Sequence, residues 1–253
     1  MFSGKYDLMR FAEISSTNLH ASALLSGKMI KVPTLILTDY QNQGKGQGKN
    51  TWESEAGKNV LLSLIQFPQN IKAFEQFYIS KITALAVRES IKEQTLQAVI
   101  KWPNDILAGK EKIAGILIEN NLEADRIRSS VIGIGINVNQ SKFHEYPMKA
   151  TSIRMITGRA TLLETVIKKF IERFETWYEI MEYRDFNQID REYLSYLYGF
   201  QKIMTFRKGD LAFKASIIDV EKDGQLVLLT NDKKKLRFGY KEIEFVMTGS
   251  DSD

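Results

Sequence analysis

Apolar and polar positions alternate along this chain with two different periods, and the period marks the elements. Residues 34–38 and 60–65 are short, β-branched or leucine-rich apolar runs flanked by turn residues, which predicts buried strands. Between residues 73 and 93 the apolar positions recur at helical spacing, among them Phe77, Ile82, Leu85, Ala86 and Ile91. Three strand-like runs follow at 98–102, 113–119 and 130–138. Gly109 and Lys110 separate the first two, and the polar segment 120–126 reads as a hairpin or loop. A helix over 162–181 carries Val166, Phe170, Phe174 and Trp177 on one stripe, and 190–198 reads as a short final helix. Near the start, Ser15, Ser16, Thr17 and Asn18 stand where a helix entering LHASALL wants its N-cap.

After Gly199 the texture changes to short strands at 213–217, 226–230, 236–240 and 244–247. Lys208-Gly209-Asp210, Lys222-Asp223-Gly224 and Asn231-Asp232 supply the turns. The pattern predicts an α/β (α+β) domain over residues 1–198, with a mixed sheet and flanking helices, and a small β-barrel or sandwich within 199–253.

Composition narrows the chemistry. The 253 residues contain no cysteine, which removes disulfides, thiolate metal sites and cysteine nucleophiles together. With only His20 and His144 available, a multi-histidine metal site within one chain is not expected either. Lys and Arg total 35 against 31 Asp and Glu, a net charge of +4 that suits an anionic substrate as well as nucleic acid. The opening MFSGKYDLMRF lacks a secretory pattern, and no apolar run approaches the roughly 18 residues of a membrane span, so a cytoplasmic protein is expected.

Four segments carry candidate chemistry. Gly44, Gly46 and Gly48 alternate with Lys45 and Gln47 in a loop ending at Trp52, where free backbone amides and lysine charge can cradle an anion. The loop matches neither the P-loop nor the dinucleotide fingerprint, and taken alone it is equally well explained as a surface loop. In Lys101-Trp102-Pro103-Asn104-Asp105 the last two residues sit at a strand's mouth, to bind a ligand or simply to cap the turn. Strict alternation over 112–119 places Lys112 with Ala114, Ile116 and Ile118, and Gly115 on the opposite face. In 132–139 Gly133, Gly135, Asn137 and Asn139 share one face and four aliphatic residues the other. Two glycines clearing space beside two amides favour a ligand pocket over a structural bulge.

In this order the pieces resemble the biotin protein ligases, of the type without a DNA-binding domain. The resemblance rests on Ser16-Thr17-Asn18, Gln41 ahead of the loop from Gly44 to Trp52, and the segments 101–105, 112–119 and 133–139. It implies a class II aminoacyl-tRNA synthetase-like catalytic domain with an SH3-like barrel after it. It implies ATP and biotin as substrates with Mg2+ carried on the ATP phosphates, biotinyl-5′-adenylate as intermediate, and a lysine of a biotin carboxyl carrier protein as acceptor. By that resemblance Ser16, Thr17, Asn18 and Gln41 hold the ureido ring, and Lys45, Gly46 and Gln47 lie towards the carboxylate and phosphates. Gly44, Trp52, Gly115, Gly133 and Gly135 complete the biotin and adenylate site. Lys112 bridges carboxylate and α-phosphate, while Asn104, Asp105 and Asn137 serve the nucleotide or the incoming amine; Lys112, Asp105 and Lys45 are the catalytic set. No DNA or membrane partner is implied, and pairing into a homodimer is.

The chain departs from the family's loop pattern at Lys45 and Gln47, where arginines are common, and at Lys49, where glycine is. A lysine in place of an arginine loses the bidentate fork. Two other readings compete. One is a lipoate or octanoate ligase or transferase of the same superfamily, against which the 101–105 and 112–119 segments speak. The other is a noncatalytic RNA- or peptide-binding module, against which the scattering of basic residues away from aromatics speaks.

Overall fold

Seven strands run through the first half of the chain: β1 (Asp7–Ile14), β2 (Thr34–Gln41), β3 (Val60–Gln66), β4 (Ala98–Lys101), β5 (Asp105–Ala108), β6 (Glu111–Glu123) and β7 (Arg126–Ile136). The structure is a computed structural model and describes residues 5–246 except Lys49, Leu96, Tyr146 and Pro147. The strands form one mixed sheet in the order β1-β2-β3-β7-β6-β5-β4, with β1 and β2 parallel and all other neighbours antiparallel. Every residue of β3 is buried, as its near-continuous apolar run requires of a central strand.

The period of two in β7 sorts the two faces of the sheet. Ile132, Ile134 and Ile136 point into the main core with Leu62 and Leu64 of β3. That core is closed by α2 (Phe77–Ile91) and α4 (Leu163–Glu182), whose Val166, Phe170, Phe174 and Trp177 form the expected stripe. Burying each of these two phenylalanines contributes about 1.5–3 kcal/mol. The other face carries a smaller cluster of Ile36, Ile65 and Val131 with Ala21 of α1 (Thr17–Ser26). Beyond that cluster, the same face is left with Ser63, Gly133 and Gly135, and this is where the site forms.

α3 (Ile153–Thr157) and α5 (Phe186–Ser195) complete the larger unit. The helix expected at 190–198 starts earlier because the Asp185 side chain accepts from Gln188 N and so caps it at that point. Neither β1, a half-exposed parallel edge, nor β5 and α3, both short, stands out in the sequence pattern.

Five further strands, β8 (Ile203–Lys208), β9 (Leu211–Val220), β10 (Leu226–Thr230), β11 (Lys235–Phe238) and β12 (Glu244–Phe245), form an antiparallel sheet in the order β11-β10-β9-β8-β12. Of these, β8 was not expected, and Met247, placed in the last strand by pattern, lies outside the described residues. This sheet docks through its β9–β10 turn. Trp102 Nε1 donates to Gly224 O at 2.9 Å, and Lys81 Nζ, buried in α2, donates to Val220 O at 2.7 Å and pairs with Asp190 at 2.6 Å. No described helix is long and apolar enough to cross a membrane.

Candidate functional site

The loop after β2 folds as a narrow antiparallel hairpin. Trp52 N donates to Gly44 O at 2.9 Å, Lys45 bridges Thr51, and Gly46 N donates to Asn50 O at 2.8 Å. The hairpin lays the Trp52 ring onto the sheet, where bare backbone receives it. A β-carbon on Gly135 would stand 2.4 Å from Trp52 Cε2, and one on Gly115 2.8 Å from Trp52 Cζ3. Gly133 makes room in the same way for Asn18, whose Oδ1 would be 2.2 Å from a β-carbon there. The space that the glycines clear is thus taken by two protein side chains, which shape the cavity.

That cavity opens about 450 Å³, part of it continuous with solvent, between the hairpin, the start of α1 and the sheet. Ser16, Thr17, Asn18 and Gln41 line one end, Lys45, Gly46, Gln47 and Trp52 the hairpin side, and Lys112, Gly115, Gly133 and Gly135 the floor. Ser16 precedes α1 without capping it; the first helical amide, Thr17 N, instead donates to the Gln41 side chain at 2.8 Å. Lys45 is exposed and makes no ion pair among the described residues. Gly44 closes the hairpin base, buried against Trp52 and the Gln41 side chain, and does not line this cavity; Lys49 lies outside the described residues.

Lys112 is on this floor because β6 carries a bulge. Ile106 pairs with Ala114 and Leu107 with Lys112, so Ile113 is an extra residue and strict alternation fails there. Lys112 Nζ consequently lies 3.3 Å from the β-carbon position of Gly115, on the same face as that glycine rather than opposite it. Asp105 Oδ1 holds the ammonium at 2.6 Å, and the ammonium also sits 5.5 Å over the Trp52 ring. Lys101, paired in register with Asp105 across the β4–β5 turn, brings a second cation to 4.0 Å from Asp105 Oδ2. Burial holds the Lys101 ammonium below the usual lysine range, against the opposing pull of Asp105. Sequence reasoning gave Lys101 no role, and its place opposite Asp105 becomes visible only in the β4–β5 register.

A second chamber lies on the other side of Trp52 and Lys112. Asp105, Asn137, Glu53, Phe143 and Met148 line it, and it shares Trp52 and Lys112 with the first. Asn137 Oδ1 and Trp52 Nε1 are buried without a hydrogen-bond partner, as is Gln47 Oε1 at the hairpin. Orphaned buried polar atoms are costly, and three of them around one double cavity are what a polar ligand would satisfy. Two expected residues are placed differently. Asn104 is in the first chamber, where its amide donates to Ile116 O at 2.8 Å and so clasps the turn to β6. Asn139, read as standing beside the pocket, is tied to Thr161 by reciprocal bonds of 2.8 and 2.9 Å.

A family model described as the biotin/lipoate A/B protein ligase family matches residues 11–137, half of the chain and all of the strands that build this site. The chain belongs to that family. Within the biotin/lipoate ligases, the bifunctional ligase/repressor BirA of Bacillus subtilis is 35% identical over 204 residues, covering 79% of this chain and 62% of that protein. The chain therefore spans less than two thirds of that relative's length. The protein of the same description from Bacillus spizizenii is 33% identical over 224 residues, covering 87% of this chain and 68% of its own. Among solved structures, the biotin protein ligase from Aquifex aeolicus in complex with biotin and ATP superposes with a TM-score of 0.76 over 96% of this chain and 99% of that one. At 22% identity it shows a shared fold.

Proposed function

We propose that this protein is a biotin protein ligase: it joins biotin to ATP as biotinyl-5′-adenylate and passes the biotinyl group to a lysine of a biotin carboxyl carrier protein. The observation that carries the reading is the position of Lys112 at the wall shared by the two chambers. One chamber suits an uncharged polar head group with a carboxylate at its hairpin end; the other, with the orphaned Asn137 oxygen, suits a nucleotide base. Relatives in this family include a biotin–[acetyl-CoA-carboxylase] ligase of Paracoccus denitrificans, which supports the carrier as partner. The two sheets support division into a catalytic unit over 1–198 and a small SH3-like β unit over 199–253.

In the first step a biotin carboxylate oxygen attacks the α-phosphorus of ATP. A C–O–P linkage forms, the bond to the β-phosphate breaks, and pyrophosphate leaves. The approach sets anion against anion, and the Lys112 ammonium, aimed by Asp105, offsets that repulsion most in the transition state. Lys45 adds charge from the hairpin, and the hairpin and Trp52 shield the adenylate from water. In the second step the carrier amine attacks the acyl carbon, the amide forms, AMP departs and the amine gives up a proton. Among the described residues no cluster of three or more His, Asp or Glu side chains can hold a metal, and Asp105 is already paired. Magnesium would come with the nucleotide, on the phosphates of ATP, and would share with Lys112 the neutralising of charge there.

The test is exchange of labelled pyrophosphate into ATP. Exchange that depends on biotin, followed by avidin-detectable labelling of a carrier domain, is the expected result. Exchange driven by lipoate and not by biotin would overturn the reading in favour of a lipoate ligase.

A further inference from the structure

Behind the residues that line the first chamber runs a continuous chain of side-chain hydrogen bonds. It starts at Glu119 in β6, whose Oε2 accepts one amide proton of Asn18 at 3.0 Å. The other amide proton of Asn18 goes to Leu117 O at 3.1 Å. Asn18 Oδ1 lies 2.6 Å from Ser63 Oγ, and Ser63 Oγ lies 2.8 Å from Thr17 Oγ1. Thr17 then meets Gln41 Oε1 twice, through its backbone N at 2.8 Å and its hydroxyl at 3.1 Å. Ser63, Gly133 and Leu117 lie in one row across β3, β7 and β6, and Asn18 spans that row only because Gly133 has no side chain.

Counting protons fixes the direction of each bond. The two acceptors, Leu117 O and Glu119, consume both Asn18 amide protons, so its oxygen must face Ser63. An amide oxygen only accepts, and Ser63 has a single hydroxyl proton, so that proton is committed to Asn18. Ser63 cannot then also donate to Thr17. The Thr17 hydroxyl gives its own proton to Ser63, the nearer acceptor at 2.8 Å against 3.1 Å for Gln41, whose oxygen already holds Thr17 N; this leaves a lone pair of Thr17 for the cavity. Gln41 lines the same end of the chamber, and with its oxygen occupied by Thr17 it has only its Nε2 protons left to offer there. The end of the chamber therefore offers an acceptor beside a donor, the complement of a ligand edge with an N–H next to a C=O.

We propose that Ser63 and Glu119 are positioning residues for the head group of the acid substrate: they act through Asn18 and Thr17 and set which partner donates. Asn18 itself has no free proton for a ligand and belongs to this supporting chain. Thr17, Asn18 and Ser63 are buried, so a break at Ser63 is not readily repaired by water, whereas Glu119 is exposed and water can partly take the place of its oxygen. The proposal rests on biotin being the acid, whose cyclic urea has that edge.

The test is pyrophosphate exchange by the full chain, comparing wild type with Glu119→Ala, Glu119→Gln and Ser63→Ala. Loss of one oriented hydrogen bond corresponds to a rise in KM for biotin of about tenfold in Ser63→Ala, and about threefold in Glu119→Ala, where water can partly replace the lost oxygen. KM for ATP and kcat at saturating biotin stay within about twofold, since the second chamber is untouched. Glu119→Gln retains an acceptor oxygen and recovers most of the loss. A double variant is less than additive, because both residues act through one chain. A biotin KM unchanged in Glu119→Ala, with an active wild type, overturns the positioning role and leaves the ligase reading intact. A parallel fall in kcat and in affinity for both substrates overturns it too, as the mark of a general structural defect. A wild type inert with biotin but active with lipoate sinks the ligase reading and this proposal with it.

Discussion

Replacing Lys112 by alanine isolates the charge that the proposed chemistry needs. The Lys112 side chain is 29% exposed and the Asp105 side chain 14%, and removing the ammonium leaves Asp105 with Lys101 at 4.0 Å. No carboxylate is stranded, so stability should fall by no more than about 1 kcal/mol. The kinetic cost is larger. Unit charges about 4 Å apart at an effective dielectric of about 20 attract by about 4 kcal/mol. Some of that is already felt by the bound carboxylate, and about 3 kcal/mol remains for the transition state, roughly a hundredfold or more in rate. Biotin-dependent pyrophosphate exchange at saturating substrate reads this directly, with a thermal melt as the control on folding. Lys112→Ala with exchange within about fivefold of wild type would show that Lys112 is only a strand-end lysine and that the charge argument is wrong.

Three further outcomes follow from other contacts. Gly135→Ala forces a methyl to 2.4 Å from the Trp52 ring, costing about 1–3 kcal/mol. Because Trp52 walls both chambers, KM should rise for biotin and ATP together; unchanged kinetics and tryptophan fluorescence would contradict this. Lys81→Met leaves Val220 O without its donor and Asp190 without its cation, at about 2 kcal/mol because Asp190 is 33% exposed. Tm should drop by roughly 4–8 °C in calorimetry, and a drop of under a degree would refute the docking role of Lys81. Finally, burial pushes the phenols of Tyr6, Tyr78, Tyr178 and Tyr193 above the usual 10.0. A raised folded-state value means stability is intact below that pH and is lost above it, by about 1.4 kcal/mol per pH unit for each tyrosine. Lys81 and Lys101, held below 10.5 by burial, act in the opposite sense and add stability as pH rises to that value. Melting temperature should hold to about pH 10.5 and fall steeply beyond, with a step of tyrosinate absorbance from these four of the ten tyrosines appearing on unfolding; absence of that step would contradict it.

The parts of this molecule legible in the sequence are those in which one residue type repeats at one period. The apolar run of β3, the stripe of α4 and the glycine face of β7 each carry several agreeing positions, and each stands where the pattern put it. What escaped has less redundancy. β5 has four residues, and β1 mixes Asp7, Arg10 and Glu13 into a half-exposed edge, so neither shows a clear period. Ser63 looks like a small polar interruption in an apolar strand. Only the row it forms with Gly133 and Leu117 reveals a partner for Asn18, and strand register is not written in any one segment. The cations are a similar case: Lys101 and Lys112 stand on different strands and become a pair only around Asp105.

The bulge at Ile113 shows how far a single irregularity can reach. Period-two alternation sends Lys112 to the face that α2 and α4 cover, where an ammonium would be desolvated among Ala114, Ile116 and Ile134. One extra residue opposite the β5 ladder reverses that, keeps Ile113 and Ala114 both in the core, and delivers Nζ to the face of Gly115. The apolar positions after the bulge still obey their period, so nothing in them betrays the shift. The signal was instead an apparent misfit, a lysine at the start of a strand whose own face is wholly aliphatic. A charge that alternation assigns to a core is evidence for a bulge, and the bulge gives this site its cation.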